Sequence, residues 1–325
     1  MVPWCAPSSG DEWFRRDTDP ARHGVASMTS RTRSLLLLHG VVVIFGFTGI
    51  LGKLITVAAE PLVFWRVAIG GVSTACYLTL RKRWQPWDRR DLWKAAAIGS
   101  IVAAHWVTFF ASIKVSSVGL ALTMLATAPL FVGLLEPLVF KRRLVWRELW
   151  MAGIVFAGIA VVFQSQQDQV LGMLLGLASA LLAAIFSTLN GVLVRRLDPV
   201  NLSAVELLSA AVMMLAWLGV RGQVGPELWT MSGSDWVWIL LLAVVATSFA
   251  FMVSIQVLKD LSPFESAMAI NLEPVYAIVL AWWFFGERLG GSFYLGAGLV
   301  IGAVFMDTMW RSRPAKKAKP TPGHQ

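Results

Sequence analysis

Charged residues are scarce in this chain: only 14% of its 325 residues are Asp, Glu, Lys or Arg, whereas 57% are apolar and the mean hydropathy is +0.66. Soluble domains contain about 25% charged and about 45–50% apolar residues. A soluble fold cannot hide this apolar excess, because much of its surface must face water. The composition therefore excludes an ordinary cytosolic enzyme and a disordered chain, and it is typical of a multi-pass membrane protein.

Cysteine and the common catalytic motifs are also missing. Only Cys5 and Cys76 occur, and two cysteines at this spacing make neither a disulfide framework nor a metal site. The chain contains no P-loop, no His-Glu-x2-His motif and no Gly-x-Ser-x-Gly motif. We therefore expect no cofactor, no metal ligands and no catalytic residues. If such a membrane protein moved a solute, it would have to use an ion gradient, with protons as a candidate, or the gradient of the solute itself.

Long apolar runs fill most of the chain. A helix needs about 20 apolar residues to cross the hydrocarbon core of a bilayer. Most of the runs are apolar on all sides, which favours helices over the alternating strands of a membrane barrel. Ten candidate spans lie at about 35–57, 61–80, 94–113, 118–139, 148–165, 171–194, 201–220, 236–257, 264–285 and 292–310. The predicted fold is an all-α polytopic membrane protein.

Basic residues are concentrated in alternate loops. Of the 28 Lys and Arg residues, 23 lie in the N-terminal segment, the linkers around 81–94, 141–147 and 195–196, at Lys259, and in the C-terminal tail. Basic loops stay on the cytoplasmic side of a membrane, so both termini are predicted to be cytoplasmic and the number of spans to be even. This topology signal accounts for the net charge of +9 without nucleic-acid binding.

The two halves of the chain show an internal repeat. A shift of 145 residues places Pro129 on Pro274, and a shift of 139 residues places Thr48 on Ser187. Each half holds five spans, an odd number, so the second half would enter the membrane from the opposite side. Such inverted repeats hold their substrate near the middle of the membrane. The predicted organisation is an N-terminal cytoplasmic segment at 1–34, repeats at 35–165 and 166–310, and a basic tail at 311–325.

Four short motifs carry a family resemblance. Residues 272–277 (LEPVYA), followed by 285–289 (FGERL), resemble the ninth-span signature of EamA-type members of the drug/metabolite transporter superfamily. Residues 45–53 resemble the family's opening Trp-Gly motif with Phe in place of Trp, and 64–66 resemble its second-span aromatic-x-Arg element. The resemblance implies ten helices in two five-helix EamA repeats, and export or exchange of small metabolites.

Ionisable side chains within the predicted spans are candidates for function, because they are costly in lipid unless they are paired or face a wet cavity. They are Lys53, Arg66, Glu136, Glu206 and Glu273. Glu273 is the leading candidate for contact with a substrate or a proton. Arg66 would either attract an anionic substrate group or form a structural ion pair. Lys53 would either line a cavity or extend to the membrane interface.

Polar residues and prolines complete the candidate site. The polar residues would either line a cavity or form hydrogen bonds between helices. Two prolines would act as hinges or as simple packing kinks, because each frees the carbonyl four residues earlier. The candidate cavity-lining residues are Glu273, Asn271, Tyr276, His105, Thr108, Ser112, Thr123, Thr127, Asn190, Arg66 and Lys53, with Pro129 and Pro274 as the hinges.

Taken together, these patterns predict a secondary transporter of the bacterial inner membrane. It would export amino acids or other small metabolites by alternating access, as a monomer or a homodimer. The alternatives are a flippase for lipids or lipid-linked substrates and, less consistent with the motifs, an intramembrane enzyme. Met28 is a second candidate translation start, so no function is assigned to residues 1–27.

Overall fold

The computed structural model describes residues 20–141, 146–286, 288 and 290–311. Within these ranges the chain is helical and contains no strand. Several sequence predictions lie outside the described residues: the first part of the N-terminal segment (1–19), the basic tail from residue 312, and Arg142, Arg143, Leu144, Glu287 and Leu289.

Thirteen α-helices are formed by the described residues. They are α1 (Pro20–Leu54), α2 (Ala59–Leu80), α3 (Arg89–Val115), α4 (Val118–Leu125), α5 (Ala128–Val139), α6 (Trp146–Ser165), α7 (Val170–Leu193), α8 (Pro199–Val220), α9 (Gly233–Ala243), α10 (Ala250–Gln256), α11 (Pro263–Ile270), α12 (Glu273–Phe285) and α13 (Gly291–Arg311). A π-helical segment, Val244–Phe249, joins α9 to α10.

Eight helical segments of the described chain are long and apolar enough to cross a membrane. They correspond to the first four predicted spans and to the sixth through ninth. The fifth and tenth predicted spans coincide with α6 and α13, whose apolar parts, Gly153–Ser165 and Gly291–Ala303, are shorter. The all-helical multi-pass architecture is confirmed, and the number of ten spans stays a prediction.

Two of the predicted spans are broken in the middle. The fourth is divided into α4 and α5, and the ninth into α11 and α12. Pro129 and Pro274 lie in the first turn of α5 and of α12, where a missing N–H breaks no helical hydrogen bond. Both prolines therefore mark real breaks, and their role as hinges stays a prediction.

Polar caps set several helix starts. The Ser117 hydroxyl accepts from the Leu120 N–H, and Ser262 and Glu265 form a capping box at α11. The Asp198 carboxylate accepts from the N–H groups of Val200 and Asn201, both at 3.1 Å. Burial alone would raise the pKa of Asp198, but the hydrogen bonds from Asn201 and the nearby positive charges hold it below its ordinary value.

The first helix begins earlier than the sequence predicts. α1 starts at Pro20 instead of residue 35. The apolar run marks only the part of a helix suited to lipid, and polar residues extend a helix without difficulty when no internal proline interrupts it. The predicted cytoplasmic segment 1–34 is therefore helical from residue 20.

The helices pack mainly across the two halves of the chain. α2 lies against α8, α3 against α7 and α8, α6 against α13, and α1 and α4 against α12. The approach of α3 to α8 is the tightest at Gly99, where an added Cβ would lie 2.2 Å from the Glu206 carbonyl oxygen. Close contacts of this kind require glycine, because any side chain would meet backbone atoms.

One end of the bundle, here called the basic end, carries Arg31, Arg83, Arg196 and Lys259. The Ser34 hydroxyl donates to Asp260 at 2.6 Å, and the Arg196 guanidinium contacts Asp91 at 2.7 Å. Arg31 forms an ion pair with Glu265. The contacts of Ser34 and Arg31 tie α1 to the α10–α11 region, and the contact of Arg196 ties the loop before α8 to the first turn of α3.

The opposite end, here called the tryptophan end, is closed by Trp65, Trp229 and Trp236. The Trp65 ring packs edge-on against each of the other two, with ring centroids 4.9 Å apart in both pairs. Buried Asp235 accepts from the Thr56 backbone N–H at 2.6 Å and from its hydroxyl at 2.7 Å. The end of α1 is thus held against the start of α9.

Candidate functional site

A central cavity of ≈ 120 Å³ lies between the two halves. Its apolar walls include Phe45, Trp106, Phe186 and Phe251. The cavity extends toward the basic end, where Leu258 lies among its lining residues. A largely apolar pocket with a few convergent polar groups is the usual form of a small-molecule site.

Arg66 supplies the positive charge of the cavity. Its guanidinium lies 4.0 Å from the centre of the Trp106 ring and 5.4 Å from that of Phe110, within the range of cation–π attraction. Its Nε donates to the Thr247 hydroxyl at 2.6 Å, and a terminal nitrogen lies 3.5 Å from the Ala246 carbonyl. Both acceptors belong to the π-helical segment, and such segments often occur at functional sites.

Glu273 supplies the negative charge. It is the first residue of α12, it is 5% exposed, and it interacts electrostatically with Arg66. A carboxylate is favoured there because the N-terminus of a helix carries partial positive charge. The structure therefore brings together two of the residues singled out from the sequence, although they are more than 200 positions apart.

The two helix breaks meet at this site. The Asn271 side-chain amide lies at the α11–α12 break and donates to the Ala126 carbonyl at the α4–α5 break, at 2.8 Å. A broken helix leaves carbonyl groups without their usual partners, and buried carbonyls need a donor. Asn271 therefore lines the cavity and also satisfies the backbone of the opposite break.

His105 and Asn190 complete the predicted residues that line the cavity. The His105 Nδ1 atom lies 2.9 Å from the Ser179 carbonyl oxygen, so its N–H donates to that acceptor. The Asn190 amide donates to buried Glu206 at 3.2 Å. Both side chains link α7 to a neighbouring helix.

The other predicted polar residues do not line the cavity. Ser112 donates to the Gly172 carbonyl at 2.7 Å and so joins α3 to α7. Thr108, Thr123 and Thr127 donate to carbonyls of their own helical turns. The alternative interpretation of hydrogen bonding between or within helices fits these four side chains.

Lys53, Tyr276 and Pro129 are also absent from the cavity wall. The Lys53 ammonium lies 4.8 Å from the centre of the Phe285 ring, and Tyr276 is 40% exposed. Pro129 is buried beside the α4–α5 break, whereas Pro274 lines the cavity itself. The predicted set therefore divides into residues at the cavity and residues of the surrounding bundle.

Sequence reasoning missed several lining residues, among them Thr48, Ser187 and Ser254. One signal could have found two of them, because Thr48 and Ser187 coincide when the chain is shifted by 139 residues. Aromatic lining residues such as Phe251 carry no such signal, since phenylalanine is common throughout membrane spans. Within the described residues, no group of three His, Cys, Asp or Glu side chains could hold a metal ion.

Comparison with known proteins identifies the family. The profile of the EamA-like transporter family matches residues 32–164 and 170–308. The chain is 24% identical to the uncharacterized transporter YxxF of Bacillus subtilis, over 85% of this chain and 89% of that protein. It is 26% identical to the uncharacterized inner membrane transporter YedA of Escherichia coli K12, over 86% of this chain and 93% of that protein.

A solved crystal structure shares the fold. It aligns with a TM-score of 0.66 and 18% sequence identity, over 86% of this chain and 99% of that chain. Identity at this level supports the fold alone. With the family profile matching both halves, the chain belongs to the EamA-like transporter family and is a multi-pass membrane transporter.

Proposed function

We propose that this transporter exports amino acids or closely related small metabolites. The central observation is a buried cavity that holds Arg66 and Glu273 among aromatic walls. An amino acid carries a carboxylate that a guanidinium can bind and an ammonium that a carboxylate can bind. Its side chain would then lie against the apolar surface formed by residues such as Phe45 and Phe251.

The cavity supports transport by alternating access. It extends toward the basic end, while the rings around Trp65 and the bonds from Thr56 to Asp235 close the tryptophan end. In this mechanism one end opens as the other closes, so the substrate meets one side of the membrane at a time. The structure is then the state in which the cavity is directed toward the basic end.

Two inverted five-helix repeats, at about 35–165 and 166–310, would provide the two moving parts. The helix breaks at 126–127 and 271–272 are separated by the same 145 residues as Pro129 and Pro274. α2 and α8 are both 22 residues long and begin 140 positions apart. These correspondences support a shared structural unit in ten spans.

The basic end would face the cytoplasm of a bacterial cell, with both termini on that side. The cavity would then load from the cytoplasm, which agrees with export. A fusion of alkaline phosphatase to the C-terminus should be inactive, and a fusion placed in the 221–232 loop should be active. The reverse pattern would contradict this orientation.

The substrate proposal is tested with purified protein in liposomes. We expect one or more amino acids from a radiolabelled set to be transported by the native protein. Glu273→Gln should reduce the rate of amino acid transport more than about tenfold, because the neutral amide cannot form an ion pair with an ammonium group. A tenfold change corresponds to about 1.4 kcal/mol of binding free energy. Glu227→Gln is the matched control, since Glu227 is exposed in a loop and its loss should leave transport unchanged.

Thermal unfolding of both variants verifies that they fold. Equal transport by native protein and Glu273→Gln would contradict the assigned role of Glu273. Failure of every amino acid to be transported, together with protein-dependent translocation of a fluorescent phospholipid, would replace the proposal with the flippase alternative.

A further inference from the structure

Glu206 is a buried carboxyl group that the proposed substrate site does not use. It lies on α8 and is 0% exposed. Its position corresponds to that of Arg66, because both are the eighth residue of 22-residue helices, α8 and α2. A carboxyl group in this environment must be paired, hydrogen-bonded or neutral.

Only one of the two carboxylate oxygens of Glu206 has a hydrogen-bond partner. The Asn190 Nδ2 group donates to Glu206 Oε2 at 3.2 Å. The other oxygen of each side chain, Oε1 of Glu206 and Oδ1 of Asn190, is buried and has no hydrogen-bond partner. Both atoms are acceptors when the glutamate is ionised, so the pair lacks one donor.

No charged group described near Glu206 supplies that donor. On the helices packed against α8, the buried ionisable groups are Arg66 on α2 and Asp91 and His105 on α3; they bind Thr247, Arg196 and Ser179 respectively. The remaining ionisable side chains of these two helices are exposed or, like Glu60, lie at the tryptophan end. α7 and α10 contain no ionisable residue.

We propose that Glu206 and Asn190 form a proton-binding site, and that the proton held there is exchanged for substrate during transport. A hydronium ion in the cavity transfers its proton to Glu206 Oε1, which converts the carboxylate into a carboxylic acid and leaves a water molecule. The new O–H donates to Asn190 Oδ1, and the existing N–H bond to Oε2 completes a two-bond acid–amide pair. One proton thus satisfies both unpaired oxygens.

The path for this proton runs through the cavity. Asn190 lines the wall and Glu206 lies directly behind it. Asn190 lies three residues before the end of α7 at the basic end, whereas Arg66 is the eighth residue of α2, which begins at the tryptophan end. The proton site is therefore separate from the charges assigned to the substrate, and the assignment rests on the proposed transport function.

Infrared difference spectroscopy tests proton binding without a substrate. Purified protein in lipid is titrated from acid to alkaline pH, and the carbonyl stretch of protonated carboxyl groups is followed. We expect Glu206→Gln to remove one component of this band, and Asn190→Ala to shift its frequency because the acid loses its acceptor. Glu227→Gln should leave that component in place. A band identical in native protein and Glu206→Gln would overturn the proposal.

Proteoliposome transport tests the coupling. With one-for-one exchange, a gradient of one pH unit accumulates substrate up to about tenfold. We expect Glu206→Gln to lose this accumulation, to about onefold, while it retains counterflow of labelled against unlabelled amino acid. Accumulation that remains about tenfold in this variant, or that follows a sodium gradient instead, would overturn the coupling role.

The infrared titration and the transport assay together distinguish a failure of the proton site from a failure of the proposed substrate. If the native protein transports no amino acid but shows the Glu206 band, the substrate assignment fails and the proton site stands. If counterflow is lost in Glu206→Gln although thermal unfolding is unchanged, Glu206 belongs to the substrate site and the proposal of a separate proton site fails.

Discussion

At the scale of single residues, Asn271 shows what a sequence can and cannot predict. The sequence identifies Asn271 as a polar side chain within a span, and Pro129 predicts a freed carbonyl at Leu125. In the structure the Asn271 amide bonds the next carbonyl, that of Ala126. The shift occurs because the helix breaks at 126–127, where the Leu130 N–H bonds to the Thr127 carbonyl instead of that of Ala126.

This bond predicts a measurable cost. Asn271→Ala should destabilise the protein by about 1–3 kcal/mol, because the buried Ala126 carbonyl is left without a donor. The unfolding midpoint of the purified protein in lipid or detergent measures the effect. Gln256→Ala removes an exposed side-chain amide and is the matched control. A midpoint for Asn271→Ala as high as that of the control would show that the bond contributes nothing.

Arg66 and Glu273 are also residues that the sequence identifies without predicting their contacts. Each could be selected from the sequence, because an ionisable residue within an apolar span is unusual. Their proximity could not be predicted, since it depends on how α2 and α12 are placed by the whole bundle. Phe251 could not be selected from the sequence at all, because nothing local distinguishes a cavity-lining phenylalanine from one that faces lipid.

At the scale of helices, the sequence predicts the extent of α2 and α8 well and the continuity of the fourth and ninth spans poorly. The predicted spans 61–80 and 201–220 differ from α2 and α8 by two residues at their starts. The predicted spans 118–139 and 264–285 are each two helices. Apolar composition sets the length of a span, whereas a break also depends on a proline and on a distant partner that donates a hydrogen bond to the exposed carbonyl.

Helix packing gives a second prediction, at Gly99. Gly99→Ala should cost about 1–3 kcal/mol, because the new Cβ would lie 2.2 Å from the backbone of α8 and force the two helices apart. Gly298→Ala is the control: no atom lies within 4 Å of the added Cβ, so this helical substitution should be neutral or stabilising. Unfolding midpoints compare the two, and equal midpoints would mean that α3 and α8 accommodate a methyl group.

At the scale of the whole molecule, the contacts at the two ends of the bundle differ in chemistry. The basic end is joined by ion pairs and hydrogen bonds of helix ends and loops, and the tryptophan end by edge-to-face ring contacts and the bonds to Asp235. The charge pattern of the loops predicts the orientation of the bundle. It does not predict which end is closed, because closure depends on contacts between helices from both halves.

Closure at the tryptophan end gives a third prediction. Asp235→Ala removes both hydrogen bonds from Thr56. A loss of about 1 kcal/mol of stabilisation of the closed state shifts the equilibrium between closed and open states about fivefold toward the open state. In a background without the native cysteines, a cysteine introduced by Thr48→Cys should react at least about fivefold faster with a membrane-impermeant thiol reagent added outside the cell. The reagent enters only when that end opens.

The control for this measurement is Ser34→Ala, which removes a hydrogen bond at the opposite end. It should leave labelling from outside unchanged or slower. If Asp235→Ala labels no faster than Ser34→Ala, then the Thr56–Asp235 contact does not hold the tryptophan end closed.

The π-helical segment at 244–249 has a consequence for the spacing of the chain. A π-helix has more residues per turn than an α-helix, in which each residue advances the helix by about 100° of rotation. The extra residue in the π-helical turn therefore rotates α10 about its own axis relative to α9. This rotation places Phe251 and Ser254 on the cavity side. Deletion of one residue from this segment would keep the span apolar and nearly as long. It would also rotate Phe251 and Ser254 away from the cavity and toward other helices. The number of residues here constrains the protein as strictly as their identity does.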